Sequence, residues 1–181
     1  LKTFIYQKDV SSKEAVDEIF EEALGKLGSI DIFYANAGYP YYEIIDYTDW
    51  DRTKRMFETN VYSPIYSYQK YVKHLDGKDG QFAITISAIG KMAMPGFTTY
   101  SASKFAMEGF QQGIRFEIPK NVTLTCLYPI ATDTNFFKTA NSVKFERPFP
   151  VQSPAVVAKK MVAGLEKGKK SINPSFLFTL S

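Results

Sequence analysis

Three short apolar runs, residues 30–35, 81–86 and 122–128, each stop at a small or polar residue, and apolar residues recur at helical spacing between them. Runs this short and this apolar read as strands of a parallel sheet with both faces covered. A further strand-like run, residues 3–8, ends at Asp9-Val10. Ser11 or Ser12 then caps a helix in which Ala15, Val16, Ile19, Phe20, Ala23, Leu24 and Leu27 recur, and Gly28 stops it. Strand, helix and strand within about 35 residues form a βαβ unit, which implies a parallel pair with a right-handed crossover. Helical patterns follow over residues 49–74, from near Thr98 and from near Ser153, and a short apolar tail runs from Ile172 to Leu180. The alternation predicts an α/β fold with three layers and a doubly wound, mostly parallel sheet. With 181 residues, 45% of them hydrophobic, the chain builds one domain over residues 1–181 and is too short for two.

In such a sheet, ligands bind beyond the carboxyl ends of the strands. That rim collects Asp9, Asn36-Ala37-Gly38, Ser87 and residues 129–134, with Pro129, Thr132 and Thr134 among them. The helix opening near Thr98 carries Tyr100-Ser101-Ala102-Ser103-Lys104, so Tyr100 and Lys104 stand at i and i+4 on one helix face. A phenol titrates near pH 10 and exchanges protons reluctantly at neutrality, but an adjacent ammonium favours the tyrosinate. At ~4 Å and an effective dielectric near 20 the attraction is up to about 4 kcal/mol, an upper bound of roughly three pKa units. Tyr100 is thereby a candidate general acid/base. Pro64, inside the 49–74 helical pattern, deprives the carbonyl of Asn60 of its helical donor, which marks Asn60 as a water anchor or simply as the site of a kink.

Twenty-two basic and 19 acidic residues leave a net charge of only +3 with no long basic run, which excludes a nucleic-acid or membrane footprint. A lone Cys126 in an apolar run excludes an internal disulfide and suits a reducing compartment. No apolar stretch approaches membrane length and the start has no signal-peptide layout, so the expectation is a soluble, cytoplasmic protein. No Cys/His cluster suggests a metal. His74 reads as a solvated helix-end residue, Asn121-Val122-Thr123 as a chance glycosylation match, and Trp50 and the Phe20/Leu24 stripe as core. Tyr39, Tyr41, Tyr42, Tyr128, Phe136 and Phe137 flank the rim and suggest an apolar substrate pocket. Ala102, Ala106, Gly109 and Gly113 line one helix with small residues, which would allow helix pairing between subunits.

Asp9-Val10, Asn36-Ala37-Gly38, Asn60-Val61, Ser87, Tyr100-x-x-x-Lys104 and residues 129–134 occur in one order, with Ser87 thirteen residues before Tyr100. In these the chain resembles the single-domain branch of the short-chain dehydrogenase/reductase family. The resemblance implies a Rossmann-like fold and an NAD- or NADP-dependent oxidoreductase acting on a carbonyl or alcohol of a small, apolar substrate, assembled as a homodimer or homotetramer. It assigns proton transfer to Tyr100, a hydrogen bond on the reacting oxygen to Ser87, and the nicotinamide ribose and the tuning of Tyr100 to Lys104. Asn60 would anchor the water that extends the proton relay. Asp9 and Val10 would meet the adenine, Asn36, Ala37 and Gly38 would border the adenosine side, and the Pro129–Thr132–Thr134 loop would flank the nicotinamide, with Thr134 on its carboxamide.

Two departures stand out. Ile130 occupies a position that is glycine in the family, and a β-branched residue resists φ > 0, so a shifted loop or altered pocket is expected. The family's glycine-rich phosphate turn is absent, and residues 3–8 would correspond to a third strand. Two strands and their helices are thus expected to be missing ahead of residue 3, roughly 60 residues in total. Rival readings are weaker. Ser101-x-x-Lys104, Tyr34-Ala35-Asn36 and Lys138-Thr139-Ala140 mimic a Ser/Lys acyl-transfer set, but in the wrong order and without its glycine. A non-catalytic NAD(P)-binding regulator or scaffold on the same fold would not need Ser87, Tyr100, Lys104 and Asn60 together. An epimerase or dehydratase could use the Tyr-Lys pair, although the Asn36-Ala37-Gly38 motif favours the dehydrogenase branch.

Overall fold

The computed structural model describes residues 2–43, 45, 49–137 and 150–175. Helix α1, Lys13–Leu27, starts where the Ser12 hydroxyl accepts the Ala15 N–H at 3.1 Å, and ends where Gly28, at φ 78°, returns its own N–H to the Leu24 carbonyl. Strands β1 (Ile32–Ala35), β2 (Gly80–Thr85), β3 (Val122–Leu127) and β4 (Ser171–Ile172) form one parallel sheet in that order. Helices α2 (Trp50–Phe57) and α3 (Ser63–Leu75) connect β1 to β2, α4 (Thr98–Ile114) connects β2 to β3, and α5 (Pro154–Glu166) connects β3 to β4.

Alternation along each strand divides the core between the two faces. On one face Phe82, Ile84, Leu124 and Cys126 pack against Val16 and Phe20 of α1, Tyr68 and Tyr71 of α3, and Met107 of α4. Aromatic rings bind this layer together: Phe33 stacks on Phe20 at 4.9 Å and on Phe82 at 5.5 Å, and Tyr68 meets Phe82 edge-on at 5.3 Å. On the opposite face Met161 of α5 covers Ala83, Leu127 and Ile172. Gly164 lets α5 approach β4 closely: a Cβ there would stand 2.2 Å from Ile172 Cδ1 and the isoleucine side chain would have to shift. The expected three-layer α/β architecture is therefore present.

The structure corrects several local expectations. Residues 3–8 form no strand; they run exposed along the surface, since no described strand offers them a ladder. Strand β1 is covered on one face only, with Ile32 51% and Tyr34 37% exposed, because α5 lies over the other strands. The helical pattern over 49–74 is three elements, α2 and α3 being joined by a π-helical turn, Glu58–Tyr62, in which the Ser63 N–H reaches back to the Glu58 carbonyl. Pro64 explains it: a ring with no N–H cannot continue the i→i−4 ladder, and the wider turn absorbs the defect. Trp50 is 80% exposed at the start of α2 and contributes nothing to the core. His74 is half-buried and its Nε2 accepts the Ile30 N–H at 3.4 Å, so it ties α3 to the start of β1. On α4, Ala102, Ala106, Gly109 and Gly113 are exposed, and nothing lies within 4 Å of a Cβ built at either glycine. Residues 138–149 and 176–181, including Lys138-Thr139-Ala140 and most of the apolar tail, lie outside the described residues. Among the described residues no helix is long and apolar enough to cross a membrane.

Truncating Phe82, fully buried among three rings, is expected to cost about 3–5 kcal/mol. Trp50→Ala is expected to change stability by less than about 0.5 kcal/mol. Urea unfolding of the two variants beside the parent checks both values.

Candidate active site

The carboxyl ends of β1, β2 and β3 open onto one cavity of about 850 Å³. Asn36, Ala37 and Gly38 leave β1 along its wall, Ser87 follows β2, Pro129, Ile130, Thr132 and Thr134 follow β3, and Tyr100 and Lys104 face it from the first turns of α4. Lys104 is the one charged side chain on that wall among the described residues. Asp9 and Val10 stand apart. Val10 lines a separate cavity of about 280 Å³ behind Asn36 and Ala37, and the Asp9 carboxylate accepts the Ser11 N–H at 3.0 Å on the surface.

Tyr100 and Lys104 are 3% and 4% exposed. The ammonium lies 5.7 Å from the phenol ring centroid and donates to the Thr85 carbonyl at 3.3 Å. Burial dominates both titrations: it pushes the Tyr100 phenol well above its ordinary value, opposed more weakly by a hydrogen bond with Ser87, and lowers Lys104 to about 8. The expectation that Lys104 makes the phenol more acidic is not met in this geometry. The ammonium is directed at a backbone carbonyl, and removal of both groups from water favours their neutral forms.

Ser87 adopts φ 127°, ψ 154°, a conformation rarely open to a residue with a Cβ and costing on the order of 1–3 kcal/mol. Its surroundings hold it there. The Ile86 N–H reaches the Leu127 carbonyl at 2.9 Å and the Ala88 N–H reaches the Pro129 carbonyl at 3.0 Å, stitching the ends of β2 and β3 together on either side. The Ser87 hydroxyl accepts the Ile89 N–H at 3.2 Å and donates to the Pro129 carbonyl at 3.4 Å.

Asn60, 2% exposed in the π-helical turn, is committed through its side chain. Its Oδ1 accepts the Tyr39 N–H at 3.1 Å, and its Nδ2 donates to the Tyr39 carbonyl at 3.0 Å and to Ser103 Oγ at 3.1 Å. This double grip on Tyr39 draws the chain so close that a Cβ at Gly38 would sit 3.0 Å from Asn60 Oδ1 and 3.5 Å from Lys104 Nζ. A Cβ at position 38 would press on a carboxamide held by three hydrogen bonds, so glycine suits the third residue of the Asn-Ala-Gly motif.

Several expectations change in detail. Among the described non-glycine residues only Asp76 and Ser87 have positive φ, so Ile130 takes an ordinary backbone, the loop keeps its bonds to β2, and the isoleucine side adds apolar wall. The Thr134 hydroxyl accepts the Phe136 N–H at 3.2 Å, and the Thr132 hydroxyl donates to the Ile130 carbonyl at 2.9 Å. Tyr39, Tyr41, Tyr42, Phe97, Phe136 and Phe137 gather with Met56 around Tyr100, but Tyr128 does not; it belongs to the main core, and its hydroxyl donates to Glu108 of α4 at 2.7 Å. Ser101 does not line the cavity, and its hydroxyl has no hydrogen-bond partner among the described residues, Lys104 included, which removes the Ser/Lys acyl-transfer arrangement. Sequence reasoning missed Thr85. Its hydroxyl lies 2.6 Å from the Tyr34 hydroxyl and donates to Asn36 Oδ1 at 2.8 Å, while its carbonyl holds Lys104. Its place at the carboxyl end of β2, two residues before Ser87, was the available signal.

The sequence matches the family described as short chain dehydrogenase over residues 1–144. An uncharacterized oxidoreductase of Bacillus subtilis, YxnA, is 30% identical over 174 residues, covering 91% of this chain and 49% of that protein. The 3-ketodihydrosphingosine reductase of Dictyostelium discoideum is 27% identical over 179 residues, covering 92% of this chain and 54% of that protein. The chain thus spans about half the length of these relatives. The solved alcohol dehydrogenase of Thermococcus sibiricus complexed with 5-hydroxy-NADP superposes with a TM-score of 0.82 at 23% identity, over 96% of this chain and 74% of that one. A short-chain dehydrogenase/reductase of Burkholderia phymatum in complex with NAD gives 0.84 at 15% identity, over 97% of this chain and 72% of that one. A parallel sheet whose rim assembles Asn36-Ala37-Gly38, Ser87, Tyr100 and Lys104, and a family match over most of the sequence, lead to one conclusion: the chain belongs to the short-chain dehydrogenase family.

Proposed function

We propose that the protein is an NAD- or NADP-dependent oxidoreductase that interconverts a carbonyl and an alcohol on a small, apolar substrate. The observation that carries this reading is the meeting of Ser87, Tyr100 and Lys104 on the wall of one cavity. A carbonyl oxygen within reach of both would be polarised by Ser87 and protonated by Tyr100, and in the reverse direction Tyr100 would take the proton. With its pKa raised by burial, the phenol is protonated throughout the neutral range and is poised as the acid. The aromatic and methionine side chains around Tyr100 support an apolar substrate.

The donor set fits the ribose end of a nicotinamide cofactor. Lys104 is an ammonium with three protons, one of them on the Thr85 carbonyl, which leaves donors for sugar hydroxyls. Gly38 leaves open the space that a Cβ would take beside the ammonium. The bound nicotinamide supplies or accepts the hydride. This chain's part is to hold the ribose at Lys104, exclude water with apolar walls and move the proton at Tyr100 Oη. Asn60 acts by fixing the Gly38–Tyr39 segment against Lys104. The rival reading, a non-catalytic NAD(P)-binding regulator or scaffold, would leave the strained Ser87 backbone without a purpose.

The exposed face of α4 supports a homodimer or homotetramer. Phe105 on α4 and Phe116 just past its end are 45% and 93% exposed, on the helix that carries the exposed Gly109 and Gly113. Gel filtration is expected to give a multiple of the protomer mass, reduced to one protomer by Gly109→Arg; a monomer in the parent protein removes the assembly proposal.

Tyr100→Phe is expected to lower kcat by at least ~10²-fold with the fold intact by circular dichroism. A loss of only a few-fold would mean the proton comes from elsewhere. Lys104, near 8 in the free protein, is charged below that pH and neutral above it. The kcat/KM for carbonyl reduction should therefore be level below about pH 7 and decline as pH rises through about 8, and Lys104→Met should be slow at every pH and lack that decline.

A further inference from the structure

Between Asn60 and Tyr100 lies a side chain to which none of the roles above falls. Ser103 is completely buried, one residue before Lys104 in α4. Its hydroxyl accepts from Asn60 Nδ2 at 3.1 Å and donates to the Tyr100 carbonyl at 2.7 Å, so both its proton and a lone pair are committed. Asn60 in turn holds both backbone groups of Tyr39. One unbroken chain of hydrogen bonds thus runs from the loop after β1, through the π-helical turn, to the backbone of the residue that carries the phenol. The preceding serine in the same turn offers the contrast. Ser101 is equally buried, at 3%, yet its hydroxyl meets no hydrogen-bond partner among the described residues.

We propose that Ser103 is a positioning residue, which uses Asn60 to lock the first turn of α4 against the Gly38–Tyr39 loop and so sets the distance between the Tyr100 hydroxyl, the Lys104 ammonium and the reacting carbonyl. The inference builds on the carbonyl–alcohol reading above. Tyr100 and Lys104 leave the helix on either side of Ser103, and a Cβ built at Gly38 would stand 3.5 Å from Lys104 Nζ, so a turn released from Asn60 shifts both groups relative to the loop that walls the cofactor side. The wide turn that Pro64 imposes is what brings the Asn60 carboxamide to α4.

The test compares Ser103→Ala with Ser101→Ala in NAD(P)H-dependent carbonyl reduction, with thermal melting alongside. Ser103→Ala is expected to lower kcat about 10-fold with substrate and cofactor KM within about twofold, because geometry is lost and binding groups are not. Ser101→Ala removes the same atom from the same turn and is expected to leave kcat unchanged. If Ser103 acts through Asn60, the Asn60→Ala/Ser103→Ala pair will lose much less than the product of the single losses. Ser103→Thr, which keeps the hydroxyl, is expected to recover most of the rate, and it decides the matter if the alanine variant melts too low to assay. Equal kcat for the two alanine variants, multiplicative losses in the double variant, or a threonine variant as slow as alanine would each overturn the proposal. Failure of the underlying reading is distinguishable: Tyr100→Phe would then stay active, whatever Ser103 does.

Discussion

An ammonium held out of water carries a desolvation cost, and the geometry around it offsets part of that cost. Lys104 is nearly inaccessible, and burial alone lowers its pKa to about 8. The Thr85 carbonyl and the face of the Tyr100 ring offset part of that penalty. Both come from elements that the sheet fixes: Thr85 is the last residue of β2, and Tyr100 lies one turn earlier on the same helix. The approach of the Gly38 backbone then walls the amine in. A buried amine that keeps its charge only through directed oxygens and an aromatic face is poised for ligand hydroxyls, since each hydroxyl that replaces water there strengthens the charged form.

Two irregularities supply what regular elements could not. Helix α3 begins after a π-helical turn, which turns Asn60 inward so that its carboxamide can bridge Tyr39 and Ser103. The chain leaving β2 passes through a strained backbone at Ser87, whose hydroxyl meets the Ile89 N–H and the Pro129 carbonyl at the cavity wall. Each is held by many bonds: the ends of β2 and β3 are laced together around Ser87, and three hydrogen bonds fix the Asn60 carboxamide. Strain of a kcal/mol or more persists only where the surroundings over-determine it. Both irregularities stand where the chemistry is proposed to occur.

The elements were legible where the pattern is local. Ser12 and Gly28 bound α1 as cap and stop, and the runs at 81–86 and 122–128 became central strands because they are apolar on both faces. Residues 3–8 show where a local pattern is insufficient: the composition favours a strand, but a strand without a hydrogen-bonding neighbour gains nothing over an exposed chain. Strand β1 shows the converse, for its apolar residues predict two covered faces and only one has a helix. Trp50 looked like core because it is large and apolar, yet at the first turn of α2 it faces solvent.

Spacing along one helix was enough to bring Tyr100 and Lys104 onto a common face, and strand ends were enough to group Asn36, Gly38, Ser87 and Pro129 on one rim. These follow from the periods of 3.6 and 2, which the amino-acid sequence carries by itself. The direction of each titration, the use of the Thr85 carbonyl, the commitment of the Asn60 side chain to Tyr39 and Ser103, and the separation of Asp9 and Val10 from the main cavity were decided by tertiary packing. Desolvation and cross-element hydrogen bonds depend on how deeply a group lies and what stands opposite it, and neither is encoded in the spacing of residues along the chain.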